Sequence, residues 1–376
     1  MAPQKSCRVI ISGGGTGGHV YPGIAIANKI KELQPEAEIM FVGVKKRIEE
    51  KIVPREGYPL HTIHVQYLPR RPGLRTLTFF SSLVIGLLQS LWFLKRYQPR
   101  VVVGTGGYVS GPVVYAAHLL GTPTLIQEQN SYPGITTRLL AGRATEVHLA
   151  FAEALAYFRK IKDQTKFKIT GNPIRLATVL PPRGVARHQF GLAEDQRTLF
   201  LFGGSQGATA LNKALQEALP YLSSEIQIIW QTGEADFDAA KNACSASAQR
   251  IFVAPFIYNM LDAYAAADLA LCRAGAITIA ELVQLGIPAI FVPLPTAAEG
   301  HQEKNARVLV EAQAAAMILQ QDLTGKSLQQ TIEALIFDEP KLQLFRQNLK
   351  PFHHPNAAEA IAQRVLALAQ IPVTIA

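Results

Sequence analysis

An apolar run, Val9-Ile10-Ile11, leads directly into SGGGTGGH, residues 12–19, where five of eight positions are glycine. Glycine loses more conformational freedom on folding than any other residue, so such a cluster persists only where the backbone must take positive φ or approach something closely. Followed by an alanine-rich stretch, it reads as strand, tight turn and helix, with the helix N-terminus offering unpaired N–H groups and a partial positive charge. That combination suits an anion. The same order recurs in LFLFGGSQGA, so that G-x-x-x-G stands at Gly13/Gly17 and again at Gly203/Gly207, 190 positions later. Two more glycine turns, GTGGYVSGP (104–112) and CRAGAITIAE (272–281), close other apolar runs.

Along the 376 residues, short β-branched runs alternate with alanine- and leucine-rich stretches, the pattern of parallel sheets covered by helices. Strands are expected at 8–12, 38–42, 101–103, 124–127, 146–149, 198–202, 227–231, 251–254, 269–272 and 289–292. The clearest helices are expected at 21–33, 134–140, 208–218, 276–285 and 301–312. A glycine loop opening each half predicts two similar, doubly wound α/β domains, 1–172 and 173–351, linked through ITGNPIR (169–175) and Pro181-Pro182. Ligands of such sheets gather beyond the carboxyl ends of the strands, so the expected site is a central cleft faced by both domains.

Charge narrows the ligand. A formal charge of +9 on a chain with 48% hydrophobic and 17% charged residues points to an anionic partner: nucleic acid, acidic lipid or a phosphorylated substrate. Lysine and arginine are dispersed rather than clustered among aromatics, which disfavours a nucleic-acid-binding protein, the alternative from another class. The dinucleotide fingerprint occurs within GGGTGG (Gly13, Gly15, Gly18), but no acidic residue closes the second strand EIMFVGVKK to hold a ribose, and the P-loop lysine is absent. Cys7, Cys244 and Cys272 are scattered and lack a C-x-x-C pair, which predicts neither a disulfide framework nor a zinc site and fits a reducing cytoplasm. His61 and His64 lie three apart in an extended stretch and point to opposite faces, so no metal site is expected there or at His353/His354. The start, MAPQKSCRVIIS, reaches the glycine loop after too few apolar residues for a secretion signal.

Three side chains beside the loops suit chemistry. His19 stands where the first loop enters its helix, and an imidazole titrating near neutrality serves as a general base. Glu281 lies about one and a half turns into the helix opened by Gly275-Ala276, where a carboxylate can accept from two vicinal hydroxyls. Arg175 follows GNP and can bridge a diphosphate bidentately. Each has a plain structural reading too: a core histidine, a solvated helix carboxylate, a linker arginine. Residues 76–94, TLTFFSSLVIGLLQSLWFL, carry no charge over nineteen positions and lie between Arg70, Arg71, Arg75 and Lys95, Arg96, Arg100. The length allows a membrane span. Thr78, Ser81, Ser82, Gly86, Gln89 and Ser90 nevertheless form a small or polar stripe, which predicts a helix of the first domain. Its apolar patch, Phe79, Leu83, Leu87, Leu91 and Trp92 with Lys95 and Arg96, is expected to dock on an anionic membrane face; a buried core helix is the alternative.

In this order, GGGTGGHVYPGIAIA, GTGGYVSGP, EQN, TGNPIR, GGSQGA, CRAGAITIAEL and HQEKNA resemble the MurG family of bacterial UDP-N-acetylglucosamine transferases, over residues 8–310. The resemblance implies the GT-B fold: an acceptor-binding N-terminal domain, a UDP-sugar-binding C-terminal domain, and a last helix, within 352–376, that crosses back to the first. It implies inverting transfer of N-acetylglucosamine to lipid I, giving lipid II for peptidoglycan and the cell wall, by a peripheral enzyme at the cytoplasmic face of the bacterial plasma membrane. Carried onto this sequence, it assigns the donor to Thr16, Gly17, Gly18, Asn130, Arg175, Ser205, Ile257, Ala276, Ile277, Thr278, Glu281 and Gln302. It assigns the acceptor side to Gly106, Gly107, Tyr108, Gln127 and Glu128, and catalysis to His19 and Asn130. UDP-N-acetylglucosamine and lipid I are then the substrates, other cell-wall enzymes are candidate partners, and neither a tightly bound cofactor nor a D-x-D-like metal site is expected. Gln127 departs from the family's usual histidine and Gly300 from its usual aspartate. A diacylglycerol glycosyltransferase or a UDP-N-acetylglucosamine 2-epimerase would share the donor half, and the acceptor-side loops disfavour both.

Overall fold

In the computed structural model, which describes residues 7–67, 73–175, 180–204 and 206–370, with backbone alone over 74–76, the apolar runs form two all-parallel sheets. The chain divides into two compact units, Met1–Arg175 with Asn356–Ala376, and Leu176–Pro355. In the first unit the strands are β1 (Arg8–Gly13), β2 (Glu38–Gly43), β3 (Leu60–Thr62), β4 (Val101–Gly106), β5 (Thr124–Glu128), β6 (Glu146–Leu149) and β7 (Phe167–Ile169). They lie in the order β3-β2-β1-β4-β5-β6-β7. Helices α1 (Gly17–Leu33), α2 (Ile48–Arg55), α3 (Leu74–Tyr97), α4 (Ser110–Leu119) and α5 (Ile135–Leu140) connect them. Strands covered by helices on both faces must be apolar on both, and Val9, Ile10, Ile11, Val101, Val102 and Val103 are all without solvent exposure.

The second unit repeats this winding. Its strands are β8 (Arg197–Phe202), β9 (Ile226–Gln231), β10 (Ile251–Ala254), β11 (Leu269–Cys272), β12 (Ala289–Phe291) and β13 (Ala316–Met317), ordered β10-β9-β8-β11-β12-β13. Its helices are α6 (Arg183–Gln189), α7 (Thr209–Ala218), α8 (Phe237–Ser245), α9 (Met260–Ala266), α10 (Ala276–Leu285), α11 (His301–Glu311), α12 (Gly325–Ile336) and α13 (Glu339–Leu349). The last helix, α14 (Ala357–Leu368), belongs to the first unit, where Ile361, Ala362, Val365 and Leu366 are buried in the same core as Ile24, Ala27 and Ile30 of α1. Fully burying one such aliphatic side chain stabilises by roughly 1.5–3 kcal/mol, so this contact fixes the helix firmly. Strands β3, β7 and β13 went unread because two or three residues at a sheet edge carry no period.

Helix α3 corrects the expected patch. Its small residues Ser82, Gly86 and Ser90 face inward, and a Cβ at Gly86 would stand 2.9 Å from the His64 carbonyl oxygen. Leu83, Leu87 and Leu91 are half-buried and pack on the core, and Phe79 is half-buried as well. The outward stripe is instead Leu77, Phe80, Val84, Leu88 and Trp92, each 55–69% exposed, with Lys95 and Arg96 exposed at its end. Of the flanking cations, Arg70 and Arg71 lie outside the described residues, as does the Arg75 side chain. Residues Leu77–Tyr97 are long and apolar enough by composition to cross a membrane.

Candidate functional site

Both sheets reverse their winding at one place, between β1 and β4 and between β8 and β11. All four glycine turns lie at the carboxyl ends of those strands: 13–18 at β1, 104–107 at β4, 203–207 at β8 and 273–276 at β11. Ligands of doubly wound sheets bind at such switch points.

In the first unit the two turns pack against each other. An ideal Cβ on Gly13 would fall 2.0 Å from the Thr105 hydroxyl, and one on Gly107, whose φ is +77°, would fall 2.3 Å from the Gly14 carbonyl oxygen. Glycine is obligatory at both. The Thr105 hydroxyl donates to the His19 carbonyl (2.8 Å), and the His19 ring lies against Gly106 and Gly107. His19 Nδ1 is 3.1 Å from the Gly14 carbonyl oxygen and 3.2 Å from the Thr16 hydroxyl. A carbonyl only accepts, so the proton belongs on Nδ1, which leaves Nε2 to take a proton. Thr16 and Gly18 are exposed at the start of α1, with Gly17 half-buried between them.

Sequence reasoning missed the residue that holds this loop. The fully buried Glu49 accepts from the Gly15 amide (3.0 Å) with one carboxylate oxygen and from the Val44 amide (3.1 Å) with the other. An acidic residue in the first turn of the helix after β2 was the available signal. The β5 turn is braced likewise. Glu128, nearly fully buried, accepts from the Asn130 amide and side chain and, on its other oxygen, from the Gly134 amide and the Thr137 hydroxyl. Gln127 has no exposure; its side chain donates to Asn172 Oδ1 (3.0 Å), while Asn172 donates to the Gln129 carbonyl (3.1 Å). Glu128 therefore orients the half-buried Asn130 from beneath it, while Gln127 ties the neighbouring turn to Asn172. Tyr108 packs beside Gly15, and burial raises its phenol, the nearby Arg47 opposing.

In the second unit a cavity of about 560 Å³ opens at the switch point, walled by Gly203, Gly204 and Gly207 and by Arg273, Thr278, Gln302 and Gln320. Thr278 and Gln302 were expected here; Arg273 and Gln320 were not, although Arg273 lies inside the quoted CRAGAITIAE. The Arg273 guanidinium donates to the Val292 carbonyl (3.0 Å) and to Gln320 Oε1 (2.7 Å), and burial lowers its pKa without discharging it. Gln302 Oε1 accepts from the Leu294 amide (2.9 Å) in the first turn of α11. Gly300, before that helix, has φ +66°, a conformation that suits glycine better than aspartate. Ala276, Ile277 and Thr278 form the first turn of α10, the turn whose amides lack intrahelical acceptors. One turn on, Glu281 accepts from the Tyr264 hydroxyl (2.8 Å); burial raises the carboxyl, which this bond partly offsets, and burial holds the phenol well above its usual range. The Ile257 amide donates to Gln231 Oε1 (2.9 Å), whose Nε2 reaches the Gly204 carbonyl (3.2 Å), tying that segment to the glycine loop. Ser205 lies outside the described residues. Arg175 belongs to the first unit and pairs with Glu56 at 2.7 Å. Among the described residues, no three His, Cys, Asp or Glu side chains are grouped to hold a metal ion.

Residues 9–149 match the glycosyltransferase family 28 N-terminal domain, and residues 198–366 its C-terminal domain. A UDP-N-acetylglucosamine–N-acetylmuramyl-(pentapeptide) pyrophosphoryl-undecaprenol N-acetylglucosamine transferase of Chlorobaculum parvum is 44% identical over 96% of this chain and 100% of its own length. The chain belongs to the MurG family of glycosyltransferases. The crystal structure of Acinetobacter baumannii MurG superposes with a TM-score of 0.79, at 28% identity, over 96% of this chain and 99% of that one. A UDP-N-acetylglucosamine 2-epimerase from Neisseria meningitidis shares the fold alone, with a TM-score of 0.65 at 10% identity over 96% of this chain and 100% of that one.

Proposed function

We infer that the chain transfers N-acetylglucosamine from its UDP carrier to the 4-hydroxyl of N-acetylmuramic acid in lipid I, with inversion, yielding lipid II and UDP for peptidoglycan synthesis. One contrast between the units carries the allocation of substrates. At the first switch point the loop amide of Gly15 is already taken by the internal carboxylate of Glu49; at the second a cavity combines a glycine loop, a helix start and the Arg273 guanidinium. A diphosphate finds the Gly15 amide of the first loop already occupied, whereas the second offers it a cavity, a helix start and a guanidinium, so UDP belongs to the second unit.

The diphosphate then lies against Gly203–Gly207, with Ser205, and the first turn of α10. Arg273 neutralises the charge that grows as the anomeric C–O bond breaks, and fixed donors in a dry cavity act strongly on that charge. Arg175, held by Glu56 in an exposed ion pair that contributes only about 0–1 kcal/mol, can exchange that carboxylate for a phosphate oxygen of the donor. Glu281, with one oxygen on Tyr264, turns the other to a ribose hydroxyl, Ile257 lies by the uracil, and Gln302 meets the sugar hydroxyls. On the acceptor side, His19 Nε2 takes the proton of the attacking hydroxyl, with Asn130 positioned by Glu128. No step here draws on a metal ion or a bound cofactor. The outward stripe of α3, ending in Lys95 and Arg96, rests on the anionic cytoplasmic face of the plasma membrane.

The test is transfer of labelled N-acetylglucosamine from its UDP donor to lipid I or a soluble analogue, with UDP-glucose as control. Arg273→Gln should raise the KM for UDP-N-acetylglucosamine about tenfold or more and weaken UDP binding in calorimetry to match. Unchanged UDP affinity in a folded variant would count against the second-unit seat.

A further inference from the structure

We propose that the cleft between the β2–α2 turn and helix α3 is the seat of the pyrophosphate of the lipid-linked acceptor. This assignment rests on the acceptor reading above and gives it an address. The cleft measures about 960 Å³ and is lined by Lys45, Lys46, Arg47 and His64, with Tyr67 and Tyr108 on one wall; among the described residues no carboxylate lines it. Three consecutive exposed cations repel one another on a concave wall unless an anion joins them, and a cleft of one sign concentrates such an anion.

The turn is built to display these cations. Lys46 is a non-glycine residue in the left-handed region, φ +59°, held by its amide bonding Glu50 Oε2 at 2.7 Å. Strain of this kind persists where surrounding structure enforces it, and it gathers at ligand clamps. The Arg47 guanidinium lies 5.0 Å from the Tyr67 ring centre, Tyr67 meets Tyr108 edge to face at 4.9 Å, and Arg47 also hydrogen-bonds Tyr108. Arg47 is thereby pre-oriented before any ligand arrives. Tyr108 in turn abuts Gly15, so the cleft adjoins the first glycine loop, whose amide Glu49 has already claimed.

The ligand's other end follows from α3. Thr78 and Gln89 of that helix line the cleft and flank its outward stripe of Leu77, Phe80, Val84, Leu88 and Trp92. An anion in the cleft can therefore lay an apolar tail along the stripe. A prenyl pyrophosphate has both parts; a free nucleotide has only one.

The experiment uses the full chain and geranylgeranyl pyrophosphate as probe, below its micelle concentration, with geranylgeraniol as the uncharged control. Lys45→Gln combined with Lys46→Asn removes two charges, and asparagine tolerates the left-handed backbone. Affinity for geranylgeranyl pyrophosphate should fall about tenfold, as for lost charge-assisted bonds, and the KM for a pyrophosphoryl acceptor analogue should rise to match. The KM for UDP-N-acetylglucosamine, kcat, the melting temperature and cosedimentation with phosphatidylglycerol vesicles should stay within twofold or within error. Unchanged probe affinity overturns the proposal, as does an equal loss for geranylgeraniol, or a loss confined to vesicle binding, which would make the cleft a site for bulk lipid headgroups. Should the wild type transfer no sugar to any muramyl acceptor, the enzymatic reading fails while probe binding still decides the cleft.

Discussion

Glu49 shows how much a single buried carboxylate can arrange. It lies 34 positions from Gly15 in sequence, and the same side chain reaches Val44 at the end of β2. Two half-buried amides depend on it. Truncation to alanine leaves both without an acceptor, at about 1–3 kcal/mol each if fully buried; water reaches half-buried amides, so Glu49→Ala should lose roughly 2–4 kcal/mol of stability and Glu49→Gln about half of that. Urea midpoints measure this; an alanine variant with the wild-type midpoint would remove Glu49 from the loop's support. The glycines it faces were legible because five in eight positions have few explanations. Glu49 was not, since an acidic residue in a helix's first turn is common and nothing in the local sequence says which distant amide it meets.

At the scale of the element, α3 shows where periodicity stops. The spacing of small residues identifies a packed helix, but which stripe turns inward depends on what approaches it. Here the β3 segment comes so close to Gly86 that only small side chains fit, and the larger apolar residues are divided between core and solvent. Changing Phe80, Leu88 and Trp92 to serine should lower cosedimentation with phosphatidylglycerol vesicles several-fold and leave the melting temperature nearly unaltered. Leu83→Ala with Leu87→Ala should do the reverse, lowering the melting temperature by roughly 5 °C or more with vesicle binding kept. Equal sedimentation of the serine variant and wild type would separate the stripe from the membrane.

For the molecule as a whole, the return of α14 couples the end of the chain to the first sheet. Arg364 of α14 bonds Glu146 of β6 (3.1 Å from Nε), and Glu146 also meets the ring of the fully buried His148 (3.1 Å). Burial would raise the Glu146 carboxyl, but the bonds from Arg364 and His148 bring it below its usual value. Burial lowers His148 below its ordinary 6.5, the Glu146 bond opposing and the nearby Lys168 and Arg364 adding to the fall. The unfolded chain therefore takes up the proton first. His148 contributes stability that is full above pH 6.5 and declines as pH falls toward its lower folded value. His61 and His354, also lowered chiefly by burial, act in the same sense. His148→Gln should lose less melting temperature than wild type between pH 7.5 and 5.5; an identical pH slope would exclude His148 as a contributor.

Sequence alone determined the class of fold, ten of the thirteen described strands and the four glycine turns, because parallel strands buried on both faces and turns needing glycine are constrained residue by residue. The shared order of its motifs led to the family as well. Only tertiary structure decided which side of α3 faces water, that Gln127 and Glu128 work from below the surface, that Arg273 lines the second cavity, and that Glu49 fills the first loop. Those outcomes depend on distances between segments far apart in the chain, set within each unit when its sheet and helices pack together, and no local pattern carries them.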